Sequence, residues 1–367
     1  MTIATAPVPR PGILGIAPYV GGEAKIAGVE RAIRLASNES ALGPSTRAIA
    51  AYRALAGEIH RYPDGGAEEL RETIGRRHRL DPARIVCGAG SDELITLLLR
   101  SYAGPGDEVL YSRHGFLMYP INAQTVGATP VAAPERALTA DVDALLERVT
   151  ERTRIVFIAN PNNPTGTYLG AAEMARLHAG LPPSVVLAID AAYAEFVNRN
   201  DYEAGVVLVD RADNVVMLRT FSKIYALAGL RLGWAYCPPA IADALNRMRG
   251  PFNVTAPALA AGAAAVEDVA ALDRARAHNQ RWHAWFSERL AALGIPLTPS
   301  VANFVLARFS DDPRKNADAV FAFLQSRGIL TRKMGAYGLP QYLRITIGTG
   351  EEMERVAAAL TKFMAAR

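Results

Sequence analysis

Short apolar runs alternate with longer segments of helical spacing from about residue 84 to residue 245. This alternation predicts βα units, and parallel strands that are joined by helical crossovers share one sheet. Seven core strands are predicted, at residues 85–87, 108–111, 129–131, 155–159, 185–189, 215–218 and 232–236. The predicted fold class is therefore α/β, with a mainly parallel seven-strand sheet flanked by helices.

The chain changes character after Pro238 and Pro239, where an Ala-rich helical stretch precedes a strand-rich end. Its 367 residues are too many for one compact core. We predict an N-terminal arm at residues 1–40 that joins the small domain, a large domain at 41–245 and a smaller C-terminal α/β domain at 246–367. The elements predicted for the end of the chain are a helical stretch at 256–293, strands at 302–307, 329–332 and 342–347, and helices at 317–327 and 353–364.

Charge and cysteine content argue against several classes of function. The formal net charge is +4, and 40 Lys and Arg are dispersed among 36 Asp and Glu, so no nucleic-acid-binding stripe is expected. Cys87 and Cys237 lie far apart in apolar surroundings, which favours buried free thiols over a disulfide or a metal site. No apolar run approaches the ~18 residues of a membrane helix, and residues 1–10 lack the pattern of a secretory signal. We therefore expect a cytoplasmic protein without a metal, membrane or nucleic-acid partner.

Lys223 lies in a polar turn, TFSK at residues 220–223, directly after an apolar predicted strand. A neutral amine at a strand exit can form a Schiff base with an aldehyde. Ser222 and Arg231 can supply a hydroxyl donor and a fixed cation for a phosphate group. Taken alone, a lysine in a polar turn is more often a solvated surface residue.

Asp190 follows the apolar run 185–189, and Tyr193 comes three positions later. A carboxylate at the end of a buried strand is costly unless a cation meets it, and a protonated pyridine nitrogen is such a cation. This pairing would keep the pyridine ring of such a ligand able to accept electrons. Tyr193 could donate a hydrogen bond to a hydroxyl group on the same ring. The alternative is that Asp190 caps a following helix.

Two further loops follow predicted strands. Residues 160–166, NPNNPTG, contain two prolines and a glycine that fix a rigid turn, so the amide of Asn163 can hold the same ring hydroxyl. In the small-residue loop GAGSD, Gly90, Ser91 and Asp92 lead into a predicted helix whose free amide groups can bind a phosphate. Each loop alone also suits a purely structural turn, and the second lacks the lysine of a P-loop and the third glycine of a dinucleotide fingerprint.

All four signals lie at the carboxyl ends of their strands, the edge at which open α/β sheets bind ligands. The assembled chain resembles fold type I pyridoxal-phosphate (PLP) enzymes and, within them, the histidinol-phosphate aminotransferase family, nearly end to end. The segments that carry the resemblance are LASNE at 35–39, RYP at 61–63, GSDE at 90–93, NPNNPTG at 160–166, DAAY at 190–193, TFSK at 220–223 with GLRLG at 229–233, and LRITIGT at 343–349. One departure is Ala191, where related sequences often have a glutamate that does not touch the cofactor.

The resemblance implies PLP as the cofactor and a role for each site residue. Lys223 would form the Schiff base and shuttle a proton, Asp190 would hold the pyridine nitrogen, and Tyr193 and Asn163 would hold the ring oxygen. The other cofactor-binding residues are Thr220, Ser222, Arg231, Gly90, Ser91, Asp92 and Phe116. Phe116 would stack on the pyridine ring. The alternative is that Phe116 is an aromatic residue of the apolar core. Tyr62 would reach the phosphate of a neighbouring active site, which implies a homodimer.

Substrate recognition is assigned to Tyr19, Asn38, Arg332 and Arg344. Arg332 and Arg344 lie on predicted neighbouring strands and can form a paired fork for a phosphate or a carboxylate, although arginines there also suit surface ion pairs. Tyr19 and Asn38 are implied by the resemblance.

The reaction implied is transfer of an amino group from L-histidinol phosphate to 2-oxoglutarate, which gives imidazole acetol phosphate and L-glutamate in histidine biosynthesis. An aminotransferase for phenylalanine and tyrosine would bind a carboxylate with the same arginines and stays open. PLP-dependent decarboxylation of the threonine-phosphate type is a further alternative. A PLP-sensing regulator would need an added DNA-binding domain, for which the residues before Leu35 are too few.

Overall fold

The computed structural model describes residues 7–23 and 25–365, so residues 1–6 and 24 of the predicted arm and residues 366–367 of the predicted small domain lie outside the described residues. The strands are β1 (Ile33–Arg34), β2 (Ile85–Gly88), β3 (Glu108–Ser112), β4 (Thr129–Ala133), β5 (Glu135–Arg136), β6 (Thr139–Ala140), β7 (Thr153–Ala159), β8 (Val186–Asp190), β9 (Val215–Thr220), β10 (Gly233–Tyr236), β11 (Phe304–Arg308), β12 (Ile329–Leu330), β13 (Arg332–Lys333) and β14 (Tyr342–Thr346). The helices are α1 (Thr46–Ala54), α2 (Glu68–His78), α3 (Ser91–Tyr102), α4 (Met118–Thr125), α5 (Val142–Leu146), α6 (Ala171–Gly180), α7 (Val206–Val209), α8 (Pro239–Met248), α9 (Ala256–Glu267), α10 (Val269–Ala292), α11 (Ala317–Ser326) and α12 (Gly350–Ala365).

Seven strands form the central sheet, in the order β2-β10-β9-β8-β7-β3-β4. Strand β10 runs antiparallel to both of its neighbours, and the other pairs are parallel. The seven predicted core strands are confirmed, and their ends differ from the prediction by at most two residues. Strand β9 continues through Arg219 and Thr220 because the backbone of both residues pairs with β10, although their side chains are polar.

Both faces of the central sheet are buried, as expected for parallel strands. Along β7, Val156 points into an apolar cluster with residues of α2, α6 and α9, whereas Phe157 points into a second cluster with residues of α3 and α8. The apolar run of α3, including Leu94 and Leu98, is wholly buried against this second face. Packing on both sides therefore fixes the sheet and the positions of its carboxyl ends.

The end of the chain forms the antiparallel sheet β11-β14-β13, with α11 and α12 packed on it. The predicted strand at 329–332 is divided at Thr331, because β12 pairs in parallel with β1 while β13 pairs with β14. The predicted helical stretch at 256–293 is divided at Asp268, whose carboxylate accepts a hydrogen bond from the backbone N–H of Ala271 and caps α10. None of the helices in the described ranges is long and apolar enough to cross a membrane.

We propose the domain organisation predicted above, with one adjustment. The pairing of β1 with β12 supports an arm that joins the small domain. Helix α9 follows the proposed boundary at residue 245 but packs against α1 and α2. Helix α10 has Leu272 in the same apolar cluster, whereas Phe286 and Leu290 belong to the cluster of the small domain. From this packing we propose that the large domain extends into α10.

Candidate active site

A cavity of about 500 Å³ lies where the carboxyl ends of β7, β8 and β9 meet β13 and β14. Fourteen of the sixteen predicted site residues line it. They are Tyr19, Asn38, Ser91, Asp92, Phe116, Asn163, Asp190, Tyr193, Thr220, Ser222, Lys223, Arg231, Arg332 and Arg344. Gly90 adjoins this lining through Ser91, and Tyr62 lies elsewhere on the surface.

Lys223 extends from the turn after β9 into the cavity, where its Nζ donates a hydrogen bond to the carbonyl of Ser37 at 3.2 Å. The turn is closed by a bond from the backbone N–H of Ser222 to the hydroxyl of Thr220 at 3.1 Å. Burial, together with the positive charge of Arg344, lowers the pKa of Lys223 to about 8. A neutral amine is therefore accessible near neutral pH, which a solvated surface lysine would not offer.

Asp190 is the last residue of β8 and is only 5% exposed. Its Oδ2 accepts a hydrogen bond from the hydroxyl of Tyr119 at 2.8 Å, and its Oδ1 accepts one from the backbone N–H of Ala192 at 3.3 Å. Burial raises the pKa of Asp190 to about 6. The next helical turn, Ala194–Phe196, has Tyr193 at its N-cap, so Asp190 does not cap a helix.

Tyr193 and Asn38 form a buried polar pair beside Lys223. The amide nitrogen of Asn38 donates to the hydroxyl oxygen of Tyr193 at 2.8 Å, and the Nζ of Lys223 lies 5.7 Å from the centre of the tyrosine ring. Asn38 has a φ of 55°, and its side-chain oxygen accepts a hydrogen bond from Thr346 at 3.1 Å. Burial raises the pKa of Tyr193 to about 12, so its hydroxyl group stays protonated.

A phosphate-sized anion can be held at the start of α3. Its N-cap residue, Gly90, has a φ of 84° and provides no side-chain cap, so the backbone N–H groups that begin at Ser91 are free for a ligand. A Cβ atom at position 90 would lie 2.6 Å from Nη2 of Arg231, and one at Gly233 would lie 2.5 Å from the backbone nitrogen of Ser91. Both positions therefore require glycine for this close approach.

Arg231 and Ser222 complete this anion site. Arg231 donates from Nη1 to the hydroxyl of Ser222 at 3.3 Å and from Nη2 to the carboxylate of Asp92 at 3.1 Å. The arginine is itself in the left-handed region, with a φ of 51°. Its guanidinium group, the serine hydroxyl and the helix N-terminus thus converge on one place, where a phosphate would meet several donors.

The opposite side of the cavity carries Arg344 and Arg332, which are in register on β14 and β13. Arg344 is 5% exposed and donates to the amide oxygen of Asn163 and, at 2.7 Å, to the carbonyl of Ala36. Arg332 donates to the carbonyl of Val20. Their contacts in the described part of the chain are with neutral oxygens, so these arginines do not form the surface ion pairs considered above.

Phe116 and Tyr19 close the cavity at a third side. Their rings meet edge to face with centres 6.4 Å apart, and Tyr19 is 45% exposed. Phe116 precedes α4 and also lies edge to face against Tyr119, at 5.9 Å. These two aromatic side chains line the same cavity as Asp190 and Lys223.

Tyr62 does not reach the cavity of its own chain. It is 83% exposed and stacks on Phe252, with ring centres 4.7 Å apart. Its contact with the cofactor of a neighbouring chain stays a prediction.

Several residues at this site were not found from the sequence. Ser37, Met118 and Ala192 also line the cavity, and Tyr119 lies behind it. Tyr119 has one sequence signal, because a tyrosine within an apolar segment needs a partner for its hydroxyl group. That signal does not identify Asp190 as the partner.

The residues present match the chemistry of PLP. Asp190 is a buried carboxylate without an ion pair among the described residues, so a pyridinium nitrogen would satisfy it. The start of α3 with Ser222 and Arg231 suits a phosphate, and Lys223 suits an aldehyde. The cavity therefore has a separate place for each polar group of the cofactor.

Comparisons with known proteins identify the family of the chain. Residues 30–360 match the family of class I and II aminotransferases. The chain is 63% identical to a histidinol-phosphate aminotransferase of Paramagnetospirillum magneticum, over 99% of this chain and 100% of the relative. It is 64% identical to one of Rhodospirillum centenum, over 97% and 98% of the two chains.

Comparison with solved structures shows that aminotransferases share this fold. A crystal structure of histidinol-phosphate aminotransferase from Sinorhizobium meliloti in complex with pyridoxal-5'-phosphate superposes with a TM-score of 0.89 at 29% identity and covers 99% of both chains. Aspartate aminotransferase from Thermus thermophilus with maleate, at 20% identity, shares the fold with a TM-score of 0.79 over 90% of this chain and 91% of that chain. The predicted fold type is thus confirmed, and the chain belongs to the family of class I and II aminotransferases.

Proposed function

We propose that this chain is a PLP-dependent aminotransferase that moves the amino group of L-histidinol phosphate to 2-oxoglutarate. The products are imidazole acetol phosphate and L-glutamate, and the reaction is a step of histidine biosynthesis. The observation that carries the proposal is one cavity lined by a half-buried lysine, a buried carboxylate and two arginines. Relatives that are 63% and 64% identical along nearly their whole length carry the corresponding name.

When it is bound, PLP supplies an aldehyde that bonds amines covalently and a ring that accepts electrons from the substrate carbon. In our proposal Lys223 holds the aldehyde carbon and Asp190 holds the ring nitrogen. Tyr193 and Asn163 bind the ring oxygen. The backbone of Ser91, with Ser222, Thr220 and Arg231, binds the phosphate, and Phe116 stacks on the ring.

Lys223 is the group that moves the proton. With the cofactor bound, the neutral Nζ of Lys223 would take a proton from the Cα of the amino donor and hold it for return during the same half-reaction. The lowered pKa, about 8, supports this role because a neutral amine is required. The hydrogen bond to the carbonyl of Ser37, which also lines the cavity, holds Nζ inside it.

Arg332 and Arg344 bind the anionic end of the substrate. Arginine presents a planar fork that matches a phosphate or a carboxylate, so the same pair serves L-histidinol phosphate in one half-reaction and 2-oxoglutarate in the other. Asn38 and Tyr19 contribute to substrate binding from the N-terminal part of the chain. The neutral oxygens that the arginines now contact support this assignment, since an anion is a better acceptor than a carbonyl.

We also infer a homodimer in which Tyr62 of each chain binds the phosphate in the other chain's site. The support is a tyrosine that is 83% exposed yet ordered by stacking on Phe252 at 4.7 Å. Tyr62→Phe is expected to weaken PLP binding about fivefold, the loss of one hydrogen bond of about 1 kcal/mol. Tyr52→Phe, at another exposed tyrosine, is the control. Sedimentation analysis that finds only monomer would contradict the inference.

The direct test uses the absorbance spectrum of the purified protein with PLP, before and after addition of L-histidinol phosphate. We expect the absorbance of the covalently held cofactor to disappear while pyridoxamine phosphate forms, and 2-oxoglutarate to restore the original spectrum. Release of carbon dioxide without any need for a keto acid would instead identify a decarboxylase.

An aromatic amino-acid aminotransferase is the second candidate, because the two arginines also suit a carboxylate and Phe116 and Tyr19 offer aromatic contacts. A comparison of kcat/KM for L-histidinol phosphate, L-phenylalanine and L-tyrosine separates the two. We expect a clear preference for L-histidinol phosphate, and a ratio near one would favour a broad enzyme.

A further inference from the structure

The hydroxyl group of Tyr119 donates a hydrogen bond of 2.8 Å to Oδ2 of Asp190, in the interior of the large domain. We propose that Tyr119 is a positioning residue that keeps Asp190 ionised and thereby keeps the ring nitrogen of PLP protonated. This inference rests on the proposed function, because Asp190 meets that nitrogen only when PLP is bound in the cavity.

The ring of Tyr119 is held in place from two sides. The residue is fully buried, and its ring stacks on Phe157 of β7, with centres 4.7 Å apart and planes 7° from parallel. Phe116 meets it edge to face at 5.9 Å. The hydroxyl group therefore has a fixed position at the end of β8. Phe116, just before α4, lines the cavity, and Tyr119, in the first turn of α4, donates to Asp190.

The groups that face Asp190 come from four elements, and they oppose one another. Two hydrogen-bond donors favour the ionised carboxylate: the hydroxyl group of Tyr119 on α4 and the backbone N–H of Ala192, which follows β8. The charge of Lys223 acts in the same direction, whereas burial and the charge of Asp92 on α3 disfavour ionisation. Among the residues that the structure describes, Tyr119 is the one side chain that donates a hydrogen bond to Asp190.

Tyr119 itself stays a donor over the whole working range of pH. Its burial and the neighbouring Asp190 raise the pKa of the phenol well above the ordinary value. A neutral phenol that cannot ionise gives a hydrogen bond without adding a charge to the site. It therefore makes Asp190 a stronger acid. Because the phenol carries no charge, it does not replace the ring nitrogen as the ionic partner of the carboxylate.

Loss of this hydrogen bond makes the carboxylate a stronger base. The proton shared between Asp190 and the ring nitrogen then moves toward the carboxylate, and the ring becomes a weaker acceptor of electrons from the substrate. The effect falls on the chemical step, because Tyr119 is not among the residues that line the cavity.

Tyr119→Phe tests the inference, with Tyr236→Phe as the matched control. Tyr236 also has a buried ring and also donates to an aspartate, Asp210, at 2.8 Å, but it lies outside the cavity. Holoenzymes are prepared with PLP that carries ¹⁵N in the ring, and the ¹⁵N chemical shift reports whether that nitrogen is protonated. We expect a shift toward neutral pyridine in Tyr119→Phe and an unchanged shift in the control.

Steady-state kinetics give the second measurement. In Tyr119→Phe we expect kcat with L-histidinol phosphate to fall about tenfold, the change that corresponds to one pKa unit, while KM stays within about twofold. A wild-type ¹⁵N shift together with a wild-type kcat in Tyr119→Phe would overturn the inference. A purely structural role would lower the unfolding temperature without moving the ¹⁵N shift, and that result also overturns it.

A second replacement covers the case in which Tyr119→Phe does not fold. 3-Fluorotyrosine at position 119 keeps the hydroxyl group and is a stronger acid, so it is expected to move the ¹⁵N shift further toward the protonated ring. No movement, or movement in the other direction, contradicts the inference. A wild-type protein that fails to transfer amino groups would disprove the proposed function, whereas an active wild type with a neutral ring nitrogen would disprove only the role of Tyr119.

Discussion

The wall of the cavity that carries Lys223, the first wall, is built on the central sheet, whereas the wall that carries Arg344, the second wall, is built on the small sheet and contacts the N-terminal segment. Asp190 and Thr220 end strands of the central sheet, and their backbones pair with Leu218 and Gly233 in the neighbouring strands. On the second wall the backbones of Arg344 and Arg332 also pair with each other. Their guanidinium groups donate to carbonyls in residues 7–40 and, from Arg344, to the amide oxygen of Asn163. We infer that the sheet fixes the side of the chemistry in advance, whereas the side of the substrate is held by contacts that an anion can replace.

The largest expected effect is on the first wall. Lys223→Ala removes both the group that holds the cofactor covalently and the proton carrier, so amino transfer should fall by more than about 10³-fold. The absorbance of the covalently held cofactor should also be lost. The control is Lys333→Ala, an exposed lysine paired with Asp318. Retention of amino transfer in Lys223→Ala would exclude our assignment.

A smaller effect is expected on the second wall. Arg344→Lys keeps the charge but loses the planar fork, so kcat/KM for L-histidinol phosphate should fall about 100-fold, mostly through KM. The spectrum of the bound cofactor should stay unchanged, because Lys223 and Asp190 lie on the other wall. Arg308→Lys, an exposed arginine on the same small sheet, is the matched control. An equal loss of affinity for the cofactor and for L-histidinol phosphate would mean that the two walls do not act separately.

Gly90→Ala probes the anion site of the first wall. The backbone there has a φ of 84°, and a Cβ atom would lie 2.6 Å from Nη2 of Arg231. With a ψ of 167°, this backbone conformation is adopted almost only by glycine and costs another residue about 1–3 kcal/mol, so we expect the dissociation constant for PLP to rise about tenfold. At saturating PLP, kcat should change little. Gly57→Ala, in open space, is the control, and an unchanged affinity in Gly90→Ala would place the phosphate elsewhere.

The first wall was also the easier one to predict from the sequence. Its strands are continuous apolar runs. Asp190 follows one such run directly and Lys223 lies in the turn after another, so the same pattern predicts the strands and the site. The bond from Tyr119 to Asp190 spans 71 positions and depends on how α4 packs against the sheet, which local patterns do not specify. For the same reason the sequence did not reveal that β12 and β13 separate at Thr331 to join different sheets.

The smallest expected effect tests whether the second wall acts on the first through charge. Lys223 must be neutral to attack an aldehyde, so the rate at which the cofactor-free protein captures PLP should rise with pH through the lysine pKa of about 8 and level off above it. Burial is the main cause of that lowered pKa and the charge of Arg344 is the next, so Arg344→Gln should move the midpoint upward, toward the ordinary value of 10.5. Arg308→Gln should leave the midpoint in place. Rapid-mixing absorbance over a pH series gives both midpoints. An unchanged midpoint in Arg344→Gln would mean that burial alone sets the basicity of Lys223 and that the two walls are electrostatically independent.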